Sequence, residues 1–189
     1  VLLTYSGCNR PDAPDCFQRA GKDGTLARSL TSFTTLHLIG HLHFVLHQDS
    51  VYKSVMEGPE NLLPEIDFQY NDNTLTIRNL NTCNIVRSYK REITVHLYAP
   101  EFPHIINEST LAIDTPDTLK QKSMHWEQWQ ASSNAFLLIH CDSAHFEMPT
   151  GHGDLEVVGI AHQLKVYSHS IGIFDGRHLK SQSLQCNQS

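Results

Sequence analysis

The stretch VYKSVMEGPENLLPEIDFQYNDNTLTIRN, Val51 to Asn79, decides the fold. Val51, Lys53 and Val55 alternate with Tyr52, Ser54 and Met56, the two-residue period of a pleated strand. Gly58-Pro59 interrupts that strand, because proline lacks an amide hydrogen and glycine accepts positive φ. Ile66, Phe68 and Tyr70 resume the alternation. Asn71-Asp72-Asn73 supplies a turn, since these side chains bond their own main chain and tolerate left-handed backbone. Thr74, Thr76 and Arg78 then face away from Leu75 and Ile77 in the next strand. Nothing in the segment carries a catalytic signature.

The same alternation extends in both directions. Upstream, Leu36, Leu38, Leu42, Phe44 and Leu46 fall on even positions, while His37, His41, His43 and His47 fall on odd ones. Alternate residues of a strand face opposite sides, so the four histidines are expected to project together, with Gly40 marking a bulge that turns His37. Imidazole suits zinc, copper and nickel, which makes His41 and His43 the candidate metal ligands. One strand period separates them by about 7 Å, so they share an ion only if their rings tilt together. The plainer reading is a polar strand face that uses histidine. Downstream, Ile93, Val95 and Leu97 form another strand, ended by Ala99-Pro100.

From Met124 onward a repeat of about 20 residues emerges. Ser133-Asn134-Ala135-Phe136 aligns with Gly153-Asp154-Leu155-Glu156 and then with Gly172-Ile173-Phe174-Asp175. A second short strand precedes each unit, at Trp126–Trp129, His145–Met148 and Leu164–Tyr167. A single such coil cannot bury its own apolar side, so coils stack and share a core. Trp126, Trp129, Phe136 and Phe146 are expected mainly in that core, with a sugar-stacking surface as the alternative.

Composition narrows the function classes. The net charge of −6 in 189 residues offers no electrostatic grip on nucleic acid. Charged residues are 18% of the chain, which suits strands whose outer face is polar without being charged. There is no run of 18 or more apolar residues to span a membrane as a helix. The five cysteines, Cys8, Cys16, Cys83, Cys141 and Cys186, lack the close pairs of a zinc ribbon or finger. The acids Glu57, Glu60, Glu65, Asp67 and Asp72 form no calcium loop and read as a solvated strand-and-turn face. Nucleophile-elbow, phosphate-loop and dinucleotide motifs are absent.

The opening VLLTYSGCNRPDAPDC resembles the end of a bacterial lipoprotein signal, in which the cysteine after small residues is acylated. Ser6-Gly7-Cys8 fits that pattern, although Tyr5 stands where an aliphatic residue is usual. The expected organisation is a signal remnant at 1–8 ending in lipidated Cys8, a tether at 9–29 and a folded domain at 30–189. With Cys8 lipidated, a Cys16–Cys83 disulfide would pin the tether to the domain in an oxidising compartment.

Four segments together resemble the head GIN domain of putative autotransporter adhesins, a bacterial family without an assigned molecular function. They are Phe44–Asp49; the segment Val55-Met56-Glu57-Gly58-Pro59-Glu60-Asn61-Leu62-Leu63-Pro64-Glu65-Ile66; Asn73–Ile77 with Ile93–Val95 and Ala99-Pro100; and the glycine-containing coils, best kept at Gly151-His152-Gly153-Asp154-Leu155. The resemblance implies an all-β, right-handed parallel β-helix-like solenoid with an N-terminal antiparallel or mixed section, and further coils beyond Ser189 or a partner over that end. It implies a secreted or surface-anchored protein without catalytic residues, and no cofactor is expected; with the lipoprotein-like opening at Cys8, the expected location is the bacterial cell envelope, lipid-anchored to the outer membrane or facing the periplasm or cell surface. The expected partner is a glycan or a protein, with the membrane met only through a lipid anchor, no nucleic acid, and room for a homo-oligomer. The alternatives are a polysaccharide-acting β-helix enzyme and a metal-binding envelope protein using the His37/His41/His43/His47 strand.

Overall fold

The computed structural model describes residues 20–81 and 91–188. Cys8, Cys16 and Cys83, with the expected lipidation and disulfide, lie outside the described residues. Within them the all-β expectation holds: the chain forms one strongly curled mixed sheet. Its strands are β1 (Asp23–Ser29), β2 (Thr35–Gly40), β3 (His43–Gln48), β4 (Lys53–Pro59), β5 (Ile66–Asn71), β6 (Thr74–Asn79) and β7 (Thr94–Ala99). There follow β8 (His104–Ser109), β9 (Ile113–Asp114), β10 (Leu119–Gln128), β11 (Ala135–Met148), β12 (Leu155–Ser168), β13 (Phe174–Lys180) and β14 (Ser183–Gln188).

The organising stretch folds much as its pattern dictates. Strands β5 and β6 form an antiparallel hairpin, with Asn71 opposite Thr74 and Asp72 in the left-handed region at φ 51°. Leu63–Glu65 adds a single 3-10 turn ahead of β5. Gly58-Pro59 departs from expectation, because both residues lie inside β4, opposite Gly24 and Asp23 of β1. Proline is tolerated there because the pairing of β4 with β7 ends at Glu57, which leaves Pro59 a strand neighbour on one side only. Part of the segment expected to be a tether, 23–29, therefore forms a paired strand, β1, antiparallel to β4.

Two ranks of strands converge on β11. Its first residues, Ala135 and Phe136, pair with β9, which continues through β3, β7 and β4 to β1. Its later residues pair with β10, which continues through β8, β2 and β6 to β5. Beyond β11, the first half of β12 carries β13 and its second half carries β14. Pairing is parallel except where β1, β4 and β5 join, so a mixed section flanks a parallel body. The repeat read from sequence is real in register: Ala135 pairs with Leu155, and Leu155 with Phe174.

The ranks share one interior. Phe146 of the second rank packs on Phe174 of the first, with ring centroids 5.4 Å apart. Leu36, Leu38, Leu42, Phe44 and Leu46 are all fully buried in this core, as their even positions predict. Each such apolar side chain contributes about 1.5–3 kcal/mol of transfer free energy. Trp126 and Phe146 are buried too, whereas Trp129 is partly exposed and Phe136 half-buried. Where the chain passes between ranks, buried polar groups bond one another: Asn107 Nδ2 donates to Ser133 Oγ at 3.1 Å, and Gln128 Nε2 to the Gly153 carbonyl at 2.6 Å.

Glycine has a steric reason at these passages. A Cβ on Gly153 would lie 1.9 Å from the Ser133 carbonyl oxygen, and one on Gly172 would lie 2.1 Å from that of Gly153. Backbones stack there with no room for a side chain. No helix among the described residues is long and apolar enough to cross a membrane.

Candidate functional site

The histidines expected to share one face are divided by the fold. Gly40, at φ 88°, ends β2 at a corner rather than bulging within one strand, so β2 and β3 enter different ranks. His37 Nε2 lies 3.2 Å from Glu108 Oε1, on β8. His41 sits in the connection with Nδ1 2.9 Å from Thr110 Oγ1. His43 Nε2 is 2.8 Å from Asp114 Oδ2, and His47 bonds His96 at 3.0 Å while stacking on Tyr98. The two sequence-derived candidates, His41 and His43, thus take partners on different residues, and neither belongs to a three-ligand cluster among the described residues.

The cluster that does form uses other histidines. Parallel pairing sets His104 (β8), His125 (β10) and His145 (β11) side by side in one outward row. One residue pair further along the same strands, Glu127 and Glu147 stand in register beside that row. The three imidazoles stack: His104 and His125 at 4.5 Å and 8° between planes, His125 and His145 at 4.8 Å and 6°. His104 Nε2 lies 2.7 Å from Glu127 Oε1. Glu147 Oε1 is shared, 3.2 Å from His125 Nε2 and 3.3 Å from His145 Nε2.

Local electrostatics favour the ionised Glu127 carboxylate and the neutral His145 ring. Burial alone would raise the Glu127 carboxyl, but the Trp129 indole N–H, donating at 2.7 Å, and His104 hold it below the usual range. Burial lowers His145, Glu147 opposes that, and repulsion from His125 adds to it. The ladder opens onto a groove of about 400 Å³ lined by Pro103, Ser123, Ser143, Gln163 and Lys165. Spacing was the overlooked signal, since His104, His125 and His145 recur at close to the coil length already visible in the sequence.

A second groove, about 310 Å³, lies on the other rank and is lined by Asp114, Asn134, Phe136, Asp154, Glu156 and Asp175. Arg177 grips Asp175 through both carboxylate oxygens and lowers its pKa to about 2. Asp154 Oδ1 accepts the Ile173 amide at 2.8 Å. Among the described residues, no three histidine, cysteine or acidic ligand atoms in this groove come within 4.8 Å of one another. Of the remaining cysteines, Cys141 is buried and Cys186 exposed, both free thiols.

No curated protein matches the sequence. Solved structures similar in fold include the following two. A putative adhesin from Bacteroides fragilis superposes with a TM-score of 0.78 at 17% identity, over 90% of this chain and 78% of the other. A putative lipid binding protein from Parabacteroides distasonis gives a TM-score of 0.60 at 13% identity, over 89% and 79%. The family model described as putative auto-transporter adhesin, head GIN domain, matches residues 32–189, most of the sequence, and the chain belongs to that family.

Proposed function

We propose that this chain is a non-catalytic protein of the bacterial envelope or cell surface whose parallel body acts as a short solenoid, presenting outward rows of side chains to a glycan or protein. The observation that carries this reading is the in-register stacking of unlike coils, with Ala135, Leu155 and Phe174 aligned across three strands. Such stacking builds a long, rigid face from short sequence units, the arrangement that suits extended recognition. The adhesin-like family and the fold shared with a putative adhesin support it. Attachment through acylated Cys8 belongs to the same proposal.

The acid-lined groove is the feature that favours a polysaccharide-acting enzyme instead. Against it, Asp175 is ion-paired and stays ionised, which unsuits it as a general acid. The test is a glycan array and a pull-down with the purified chain, run beside a reducing-sugar assay on polysaccharides. Saturable binding without turnover is the expected result. Robust polysaccharide cleavage overturns the non-catalytic reading.

A further inference from the structure

We infer that the His104–His125–His145 ladder, with Glu127 and Glu147, is a binding site for a divalent transition-metal ion of the zinc type. The inference goes beyond adhesion and does not depend on it. Two overlapping ligand sets exist, His104/His125/Glu127 and His125/His145/Glu147, each with its ligand atoms within 4.8 Å of one another. Two imidazoles and one carboxylate are a donor set that suits zinc, copper and nickel, and they leave coordination positions open.

The distances fit the chemistry. Bonds of about 2.0–2.1 Å in a tetrahedral site place neighbouring ligand atoms roughly 3.3–3.4 Å apart. Glu147 Oε1 already lies 3.2 Å from His125 Nε2 and 3.3 Å from His145 Nε2. In the other set, Glu127 Oε1 lies 2.7 Å from His104 Nε2 and 4.0 Å from His125 Nδ1, so it needs the larger adjustment. The first set is therefore the primary one.

Stacked rings point their in-plane lone pairs side by side rather than at a common point. Binding thus requires His125 and His145 to turn out of parallel, a rotation about the broad χ2 of histidine that costs little. The metal takes the Nε2 positions that now face the Glu147 carboxylate, and each neutral ring then carries its one proton on Nδ1. His125 belongs to both sets, so the ladder holds one ion at a time through it. The backbone needs no rearrangement, because β10 and β11 are locked by parallel pairing on both sides of the ladder. Ser123, Ser143 and Gln163 line the adjoining groove, where a ligand on the open position would sit.

The experiment uses the purified chain stripped with chelator, titrated with Zn²⁺ by calorimetry and with Co²⁺ by visible absorption. One ion per chain and the absorption bands of tetrahedral cobalt are expected. His125→Gln is expected to weaken binding by about 100-fold, and His145→Gln by about tenfold because the His104 set remains. His41→Gln with His43→Gln is expected to leave binding unchanged. Circular dichroism of each variant separates ligand loss from misfolding, and Glu147→Gln, which keeps side-chain shape, is a second route to the same weakening. Absence of Zn²⁺ binding, or His125→Gln and Glu147→Gln variants that bind as tightly as the parent, would overturn the proposal.

Discussion

His104 and His125, on neighbouring parallel strands, lie face to face with ring centroids 4.5 Å apart and planes within 8°. The relationship arises from register rather than from local sequence. Strand β10 pairs with β8 on one side and β11 on the other, so equivalent positions of these parallel strands form rows. Any residue type recurring at the repeat length becomes a ladder on the outer face, and here the type is histidine.

That use of histidine predicts acid sensitivity. Burial and the neighbouring His96 lower the pKa of His47, with Asp117 opposing them, and burial lowers that of His145. A histidine with a depressed folded pKa binds fewer protons folded than unfolded. Its contribution is fully present above the unfolded value of about 6.5 and is lost as pH falls through the lower folded value. Urea denaturation at neutral pH and near pH 5 should show weaker folding in acid, and a His47→Gln/His145→Gln variant should show a flatter dependence. Proton NMR titration giving both rings pKa values above the unfolded one would refute this.

Gly153→Ala is expected to destabilise strongly. The added Cβ would sit 1.9 Å from the Ser133 carbonyl, and Gly172 stacks on the other side, so the backbone has nowhere to retreat. Overpacking of this kind costs about 3 kcal/mol. Gly40→Ala is the contrast: nothing lies within 4 Å of its Cβ, and only the left-handed backbone at φ 88° opposes it, at about 1–2 kcal/mol. Urea midpoints should rank the two in that order.

The two described thiols should differ sharply in reactivity. Burial, reinforced by Asp142, raises Cys141 to about 11, and only the thiolate attacks an alkylating reagent. Cys186 is exposed on β14. Peptide-level mass spectrometry after brief iodoacetamide treatment of the native chain should find Cys186 modified and Cys141 intact, with Cys141 reacting only after denaturation.

How much of this was legible beforehand follows from what each feature depends on. Alternation is local, so the buried set Leu36, Leu38, Phe44 and Leu46 and the hairpin at Asp72 could be read directly. The repeat of about 20 residues was visible as well, because Gly153 and Gly172 are forced by backbone stacking and leave a mark at fixed spacing. Corners were not visible. Gly40 reads equally as a bulge or as the end of a strand, and that choice decides whether His37 and His43 share a face. The ladder is legible only in part: the spacing of His104, His125 and His145 follows the repeat, but they stand in three separate strands, and the parallel register is what sets their rings against one another.

The facing of the two ranks can itself be tested through Phe146 and Phe174. They meet across the interior at 5.4 Å although one belongs to the second half of β11 and the other to β13 on the first half of β12. In a sheet that did not curl, these positions would lie too far apart to touch. Phe146→Ala should cost about 3–5 kcal/mol, since the ring is fully buried, and Phe174→Ala less, because that residue is half-buried. The combined variant should lose less than the sum of the two, with a coupling of about 0.5–1.5 kcal/mol for the ring pair. Strict additivity in urea denaturation would mean that the rings do not touch in solution, and the curl that brings both ranks onto one core would then have to be abandoned.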